Sequence, residues 1–223
     1  IIDREDDIYL EELNVYWNKI LGDKYKVFKT NIIFGSMFYS VSRAYNTLVN
    51  DEITPAKVKC MLIDYLSSIK TNTLCKILNI YQNTYKDDTI SVYNKDPQVF
   101  LLDFYSHIAP LDYKGITNFN QLKDYISNNS YTGCILDIYF MSIMFNKIIG
   151  VINYRKTPKN IKGFRCFGSG LIKSNDIILL YSELLKESDR TTYNVIQLNG
   201  NYIFKKNNFN KDFLKLLIED CKC

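Results

Sequence analysis

The stretch Asn31–Asn46, NIIFGSMFYSVSRAYN, places a small polar hinge between an apolar run and a predicted helix. Apolar side chains follow the hinge at three- and four-residue intervals, which is the spacing of one helical face. A hydroxyl that follows a glycine at a helix start is a position where many hydrolases carry a nucleophile. The same position is also a common helix N-cap. Ser36, directly after Gly35, is therefore either a reactive group or a structural one.

Composition indicates a folded protein without a strong electrostatic preference. The 223 residues are 47% hydrophobic and 23% charged, which is sufficient for a buried core and unlike a disordered chain. Twenty-eight basic and 24 acidic residues leave a net charge of +4 without basic clusters, so we predict neither nucleic-acid nor membrane binding. The richness in Tyr, Phe, Asn, Ile and Lys suggests an AT-rich genome, such as that of many viruses.

The cysteines do not predict a metal site. There are six of them with a single histidine, and no C-x-x-C pair occurs. We therefore expect reduced thiols that pack as small hydrophobes, in a cytoplasmic protein (host cytoplasm if viral). We expect no cofactor. The apolar stretch 135–152 is interrupted by Asp137, Asn146 and Lys147, which predicts a buried helix and a strand rather than a membrane span.

The chain first predicts helices and then strands. Residues 5–20 have the periodicity of an amphipathic helix, and further helices are predicted after Ser36, after the N-cap Thr54, over 74–85, around 99–106, after the N-cap Thr117, and after Gly133. Strands are predicted at 147–153, 176–183, 192–198 and 201–205, the last two forming a hairpin, followed by a closing helix. This order predicts an α+β domain of the α/β type, with helices flanking a small central, mostly antiparallel sheet.

The order of these features resembles the ovarian-tumour (OTU) cysteine proteases, which cleave ubiquitin from its conjugates. The family carries its cysteine in an Asp-Gly-x-Cys-Leu/Met-Phe-x-x-Val/Ile segment, which IFGSMFYSV resembles with Ser36 at the cysteine. The turn YTG that opens YTGCILDIYF and the late strand TTYNVIQL match two further family elements. The resemblance covers about residues 25–215 of a single domain, 1–223, and leaves 1–24 as an amino-terminal helical extension.

The resemblance also implies the site residues, and the family's catalytic types are missing from them. Thr192 stands at the histidine and Asn194 at the residue that orients it, so the catalytic positions Ser36, Thr192 and Asn194 are degenerate. The binding positions that the resemblance implies are Gly35, Met37, Phe38, Gly133 and Tyr193.

The chemistry of the family requires a thiolate paired with an imidazole. A serine hydroxyl has a much higher pKa and needs a neighbouring base, and the single histidine, His107, lies outside the late strand. A cysteine-to-serine exchange alone could be an engineered one, but the histidine and the Asp-Gly pair are also replaced. This pattern favours a naturally inactive pseudoprotease.

Three functions follow from these observations. The first is a catalytically inactive OTU-like module that binds or scaffolds another protein, with ubiquitin or a ubiquitin-like protein as the expected partner. The second is an active hydrolase with Ser36 as nucleophile and an unidentified base. The third is a structural or assembly subunit of a larger complex without a link to ubiquitin.

Overall fold

The computed structural model describes residues 8–30, 32, 34–47, 52–85, 96–110, 113, 115–153, 163–168, 170–185 and 190–221. The chain divides into two compact units. One, the sheet unit, comprises residues 1–58 and 132–223, and the other, the helical unit, comprises residues 59–131. The single domain expected over residues 1–223 stays a prediction.

The strands that the structure describes form one seven-stranded sheet in the sheet unit. They are β1 (Ile8–Glu12), β2 (Tyr25–Thr30), β3 (Ile148–Asn153), β4 (Phe164–Phe167), β5 (Ile177–Leu185), β6 (Arg190–Leu198) and β7 (Ile203–Phe204). Their order is β1-β2-β6-β5-β3-β4, and β7 pairs with β5. The pair β3–β5 is parallel and the other pairs are antiparallel, which confirms the predicted α+β class with a mostly antiparallel sheet.

The helices include most of those that the sequence predicts. They are α1 (Val15–Leu21), α2 (Ser36–Asn46), α3 (Pro55–Ser68), α4 (Thr71–Tyr85), α5 (Pro97–Ile108), α6 (Phe119–Ser127), α7 (Ile135–Phe145) and α8 (Lys211–Asp220). The Thr54 hydroxyl accepts a hydrogen bond from the Lys57 N–H at 3.2 Å, as expected of an N-cap. At α6, however, the cap is Asn118 rather than Thr117, because the Asn118 side chain accepts from the Gln121 N–H.

The helices of the sheet unit pack on both faces of the sheet. Trp17 of α1 and Phe213 of α8 share a buried cluster with alternate strand residues such as Tyr181, and we call this side the α8 face. On the other side, the α2 face, Arg43 of α2 lies 4.7 Å from the centre of the Phe28 ring. Because side chains alternate along a strand, each strand contributes to both cores.

The expected amino-terminal helix over residues 5–20 is wrong for Ile8–Glu12 and correct from Val15, where α1 begins. Residues Ile8–Glu12 form β1, which pairs with β2 from Ile8↔Thr30 to Glu12↔Lys26. The helix begins only at Val15, where the Asn14 side chain accepts a hydrogen bond from the Trp17 N–H at 3.0 Å. The helical spacing of the apolar residues is thus overridden by an N-cap and by pairing with a distant strand.

Two further differences come from strand pairing. The strands β2 and β4 are absent from the predicted elements, and β4 has only four residues. The predicted hairpin turn exists, because Leu198 and Asn201 exchange backbone hydrogen bonds around Asn199 and Gly200. After the turn, however, β7 pairs with β5, taking over where the pairing of β5 with β6 ends at Leu180↔Val195.

The cysteines also depart from the expectation. Cys166 of β4 and Cys221, which follows α8, form a disulfide, so the prediction of reduced thiols is wrong for this pair. The reason is tertiary: Phe164 of β4 packs against Phe213 of α8, which brings the two segments together. Cys223 lies outside the described residues, and the cytoplasmic location stays a prediction. Within the described ranges, no helix has the length and apolarity needed to cross a membrane.

Candidate functional site

The site predicted around Ser36 lies at the start of α2. Gly35 occupies the N-cap position in a left-handed conformation (φ 72°), which glycine adopts without strain. Ser36 is the first helical residue and only 1% of its surface is exposed. The alternative of Ser36 as a helix N-cap is therefore wrong, because Gly35 holds that position and no side chain caps the helix there.

The Ser36 hydroxyl instead binds β6. Its Oγ accepts a hydrogen bond from the backbone N–H of Tyr193 at 3.0 Å. One turn further along α2, the Ser40 Oγ donates to the Tyr193 carbonyl oxygen at 2.8 Å. The paired register between β2 and β6 ends at Phe28↔Val195, and Tyr193 lies two residues beyond it along β6. Two hydroxyls of α2 thus satisfy buried backbone groups of β6 just past the end of its pairing with β2.

The other two predicted catalytic positions flank Tyr193 and direct their polar atoms elsewhere. The Asn194 Oδ1 accepts a hydrogen bond from the Thr30 N–H at 3.3 Å, and its Nδ2 donates to Glu183 Oε2 at 3.4 Å. The Thr192 hydroxyl donates to the Glu183 carbonyl oxygen at 3.4 Å. The structure therefore brings Ser36 to the backbone between Thr192 and Asn194, while both side chains interact with β5 or β2.

A charged cluster lies beside Asn194 on the α8 face. Lys29 Nζ binds the carboxylates of Glu183 and of Glu11, the latter at 2.8 Å. We call Lys29, Glu11, Glu183 and Asn194 the Lys29 cluster. Burial lowers the pKa of Lys29, but the hydrogen bonds and charges of Glu11 and Glu183 outweigh it and raise the pKa above its ordinary value. Lys29 and Glu183 were not among the predicted site residues, because only strand register brings them together.

The predicted binding residues are packed in the interior of the sheet unit. Gly133 lies against the start of α2: a Cβ on it would come within 2.9 Å of Met37 Sδ and 3.2 Å of Phe38 Cε2. Met37 and Phe38 are fully buried, and Gly35 and Tyr193 are buried as well. The role of these five residues in binding a partner stays a prediction, and their observed contribution is to packing.

Cys134 places a thiol directly before the first residue of α7, at the start of a second helix. Burial, followed by the negative charge of Asp137, raises the pKa of the Cys134 thiol well above its ordinary value. The Asp137 carboxylate accepts a hydrogen bond from the Cys134 N–H at 2.7 Å. This environment disfavours the thiolate that cysteine chemistry needs.

The single histidine and possible metal ligands were the remaining groups of interest. His107, the single histidine, lies in the last turn of α5 in the helical unit. Among the residues that the structure describes, no group of three or more His, Cys, Asp or Glu side chains is arranged to hold a metal ion.

Comparison with known proteins gives matches among solved structures. No protein-family model and no curated protein matches the chain. Among solved structures, the chain is similar to an ovarian-tumour (OTU) domain in complex with ubiquitin. The two are 13% identical in sequence with a TM-score of 0.46, over 96% of this chain and 91% of that chain.

Proposed function

We propose that this chain is a catalytically inactive, OTU-like pseudoprotease that acts as a protein-binding or scaffold module. The observation that supports the proposal most directly is the hydrogen bond from the Tyr193 N–H to the Ser36 hydroxyl, deep in the sheet unit. A hydroxyl that is buried and already accepts a backbone hydrogen bond is poorly placed to attack a substrate carbonyl. The position of the family's nucleophile then serves to join a helix to a strand.

The absence of an imidazole from the late strand supports the same proposal. A serine nucleophile needs a base that takes its proton, and Thr192 has no group that does so near neutral pH. When one member of a nucleophile–base pair is missing, most of the chemical rate is lost, and losing the second member adds little. Binding of another protein is retained in principle, because affinity comes from separate apolar and aromatic contacts.

Ubiquitin or a ubiquitin-like protein is the partner that we propose first, on the strength of the sequence resemblance. Titration of the full chain with mono-ubiquitin, followed by NMR, tests this part. We expect saturable binding in the range of micromolar to millimolar concentrations. No binding at about 1 mM ubiquitin would leave the scaffold function without a link to ubiquitin.

A hydrolysis assay tests the absence of catalysis. The wild-type chain, Ser36→Ala and Ser67→Ala are incubated with ubiquitin amide and ester substrates. Ser67 is a matched control, because it is an exposed serine of α3 that donates to the Asp64 carbonyl oxygen. We expect all three proteins to match the background rate. Cleavage by the wild type and by Ser67→Ala, but not by Ser36→Ala, would instead identify Ser36 as an active nucleophile.

A further inference from the structure

The strand β1 forms an edge of the sheet. It is the first strand in the order β1-β2-β6-β5-β3-β4, and within the described residues it pairs with β2 alone. An edge strand presents backbone N–H and C=O groups on its outer side, and these groups can pair with another extended chain. The edge is therefore a place where a partner could add a strand.

The side chains of this edge are unusually apolar and exposed. Tyr9 is 51% exposed and Leu10 is 56% exposed, on opposite faces of β1. Val15 and Tyr16 of the adjacent α1 are also exposed, at 89% and 48%. Edge strands are commonly protected by lysine, proline or a covering segment, and the described part of β1 carries neither lysine nor proline. These exposed side chains provide apolar contacts on both faces of an added strand.

β1 is also acidic. It contains Glu11 and Glu12 and no basic residue, in a chain whose overall net charge is +4. Glu11 and Glu12 are bound by Lys29 and Lys26 of β2, yet their side chains remain 47% and 61% exposed. A partner strand on the outer side of β1 would therefore meet partly exposed carboxylates. A second copy of β1 would bring the same negative charges together, which is unfavourable between paired strands.

From this geometry we propose that β1 binds an extended, basic segment of a partner protein by strand addition. Backbone hydrogen bonds along β1 hold the segment, Tyr9 and Leu10 contact its apolar side chains, and Glu11 and Glu12 attract its lysines or arginines. The proposal deepens the function proposed above and rests on it insofar as the chain is a protein-binding module. It does not depend on Ser36.

The test uses three fluorescent nine-residue peptides and the full chain, with binding followed by anisotropy. The first peptide alternates lysine and valine, the second has glutamate in place of lysine, and the third is the lysine peptide with alternate backbone nitrogens methylated. We expect the lysine peptide to bind, and the other two to bind at least about tenfold more weakly. Equal binding of the lysine and glutamate peptides, or of the methylated and unmethylated ones, would overturn strand addition at an acidic edge.

Variants locate the binding site. Leu10→Lys places a positive charge on the exposed edge and is expected to weaken the lysine peptide at least about tenfold. Ile218→Lys is the matched control, because Ile218 is a 54% exposed isoleucine that lies on α8 and not on β1. We expect it to leave the affinity unchanged. Circular dichroism of both variants verifies that they are folded, and a folded Leu10→Lys variant with wild-type affinity would overturn the proposal.

Two further measurements separate this inference from the proposed function. Sedimentation of the chain alone tests whether a second copy of the chain pairs with β1. A wild-type dimer that the substitution Leu10→Lys dissociates would overturn the proposal of a basic partner. Titration of the wild type and of Leu10→Lys with mono-ubiquitin is the second measurement. If ubiquitin binds Leu10→Lys normally while no peptide binds the wild type, strand addition fails and the proposed function survives. If the lysine peptide binds but hydrolysis depends on Ser36, strand addition holds and the non-catalytic function fails.

Discussion

The two sides of β6 around Tyr193 use different interactions to hold the sheet unit together. On the α2 side, the neutral hydroxyls of Ser36 and Ser40 bind the backbone of Tyr193 at 3.0 and 2.8 Å. On the α8 face, the neighbouring Asn194 joins the Lys29 cluster, in which charged groups bind one another. The difference teaches that the polar residues around Tyr193 are engaged in structural contacts on both sides of β6.

The two sides should also respond differently to solution conditions. A hydrogen bond between a hydroxyl and a backbone amide does not change with pH until one group titrates, and salt screens it little. The Lys29 cluster consists of charges whose interaction depends on protonation and, where exposed, on ionic strength. Substitutions on the α2 side and on the α8 face therefore test whether the two sides contribute differently to stability.

The largest loss of stability is expected for Glu183→Ala. This change leaves the partly buried Lys29 with Glu11 alone and removes the carboxylate that accepts from Asn194 Nδ2, so the free energy of unfolding should fall by about 3 kcal/mol. Glu11→Ala is the matched control, because it removes the more exposed of the two carboxylates and should cost less than about 1 kcal/mol. Urea unfolding of both variants measures the difference, and equal losses would contradict the central place of Glu183.

A smaller loss is expected for Ser36→Ala. The Tyr193 N–H would be left without its acceptor in a buried environment, which costs about 2 kcal/mol. Ser67→Ala in the exposed part of α3 should stay within about 0.5 kcal/mol of the wild type. Urea unfolding is again the measurement. A Ser36→Ala variant as stable as the wild type would mean that the hydroxyl is free for another role.

The pH dependence of the free energy of unfolding distinguishes the Lys29 cluster from the hydrogen bond of Ser36. Because the pKa of Lys29 is raised in the folded chain, its contribution to stability is fully present below the unfolded value of 10.5 and is lost as pH rises through the folded pKa. The stability difference between the wild type and Lys29→Met should therefore narrow above about pH 10.5. The difference between the wild type and Ser36→Ala should stay constant from pH 6 to about 10. A Ser36→Ala difference that follows the same alkaline profile would remove the distinction.

The smallest effect is expected on activity. Ser36→Cys introduces a thiol at the position that the sequence resemblance implies for a nucleophile but supplies no imidazole, so the thiol should stay protonated and cleave no ubiquitin substrate above background. Thiol titration with a maleimide reports whether the sulfur is accessible and at what pH it reacts. Cleavage by Ser36→Cys at a rate well above that of Ser36→Ala would show that a usable base lies near α2.

The elements predicted from local sequence patterns are present where the pattern also places an apolar face in the core. The hinge at Gly35–Ser36 and the helix after it are present as α2, and the β-branched runs near 148–153 and 177–185 form strands. The predictions are wrong where an interaction with a residue distant in the sequence determines the structure. Residues 8–12 have helical spacing but pair with β2, and the disulfide joins Cys166 to Cys221 across 55 residues. No local pattern contains those partners.

The candidate site shows the same division. Its position at the start of α2 and in the strand that contains Tyr193 was predicted from sequence resemblance, and the hydrogen bond between Ser36 and Tyr193 joins these two segments. The use of the Ser36 hydroxyl was not predicted, because an N-cap serine and a serine that binds another strand have the same local sequence. Lys29 and Glu183 lie 154 residues apart, and the order of strands β2, β6 and β5 alone brings them together.

The sequence by itself determined the α+β class, the position of the hinge and the absence of a cysteine–histidine pair from the expected positions, because these depend on residue type and periodicity. The tertiary structure decided which backbone groups Ser36 and Ser40 satisfy, which charges surround Asn194, and which strand stands at the edge. The physical reason is that buried polar groups must find partners, and in a sheet those partners are set by strand order and register rather than by neighbours along the chain.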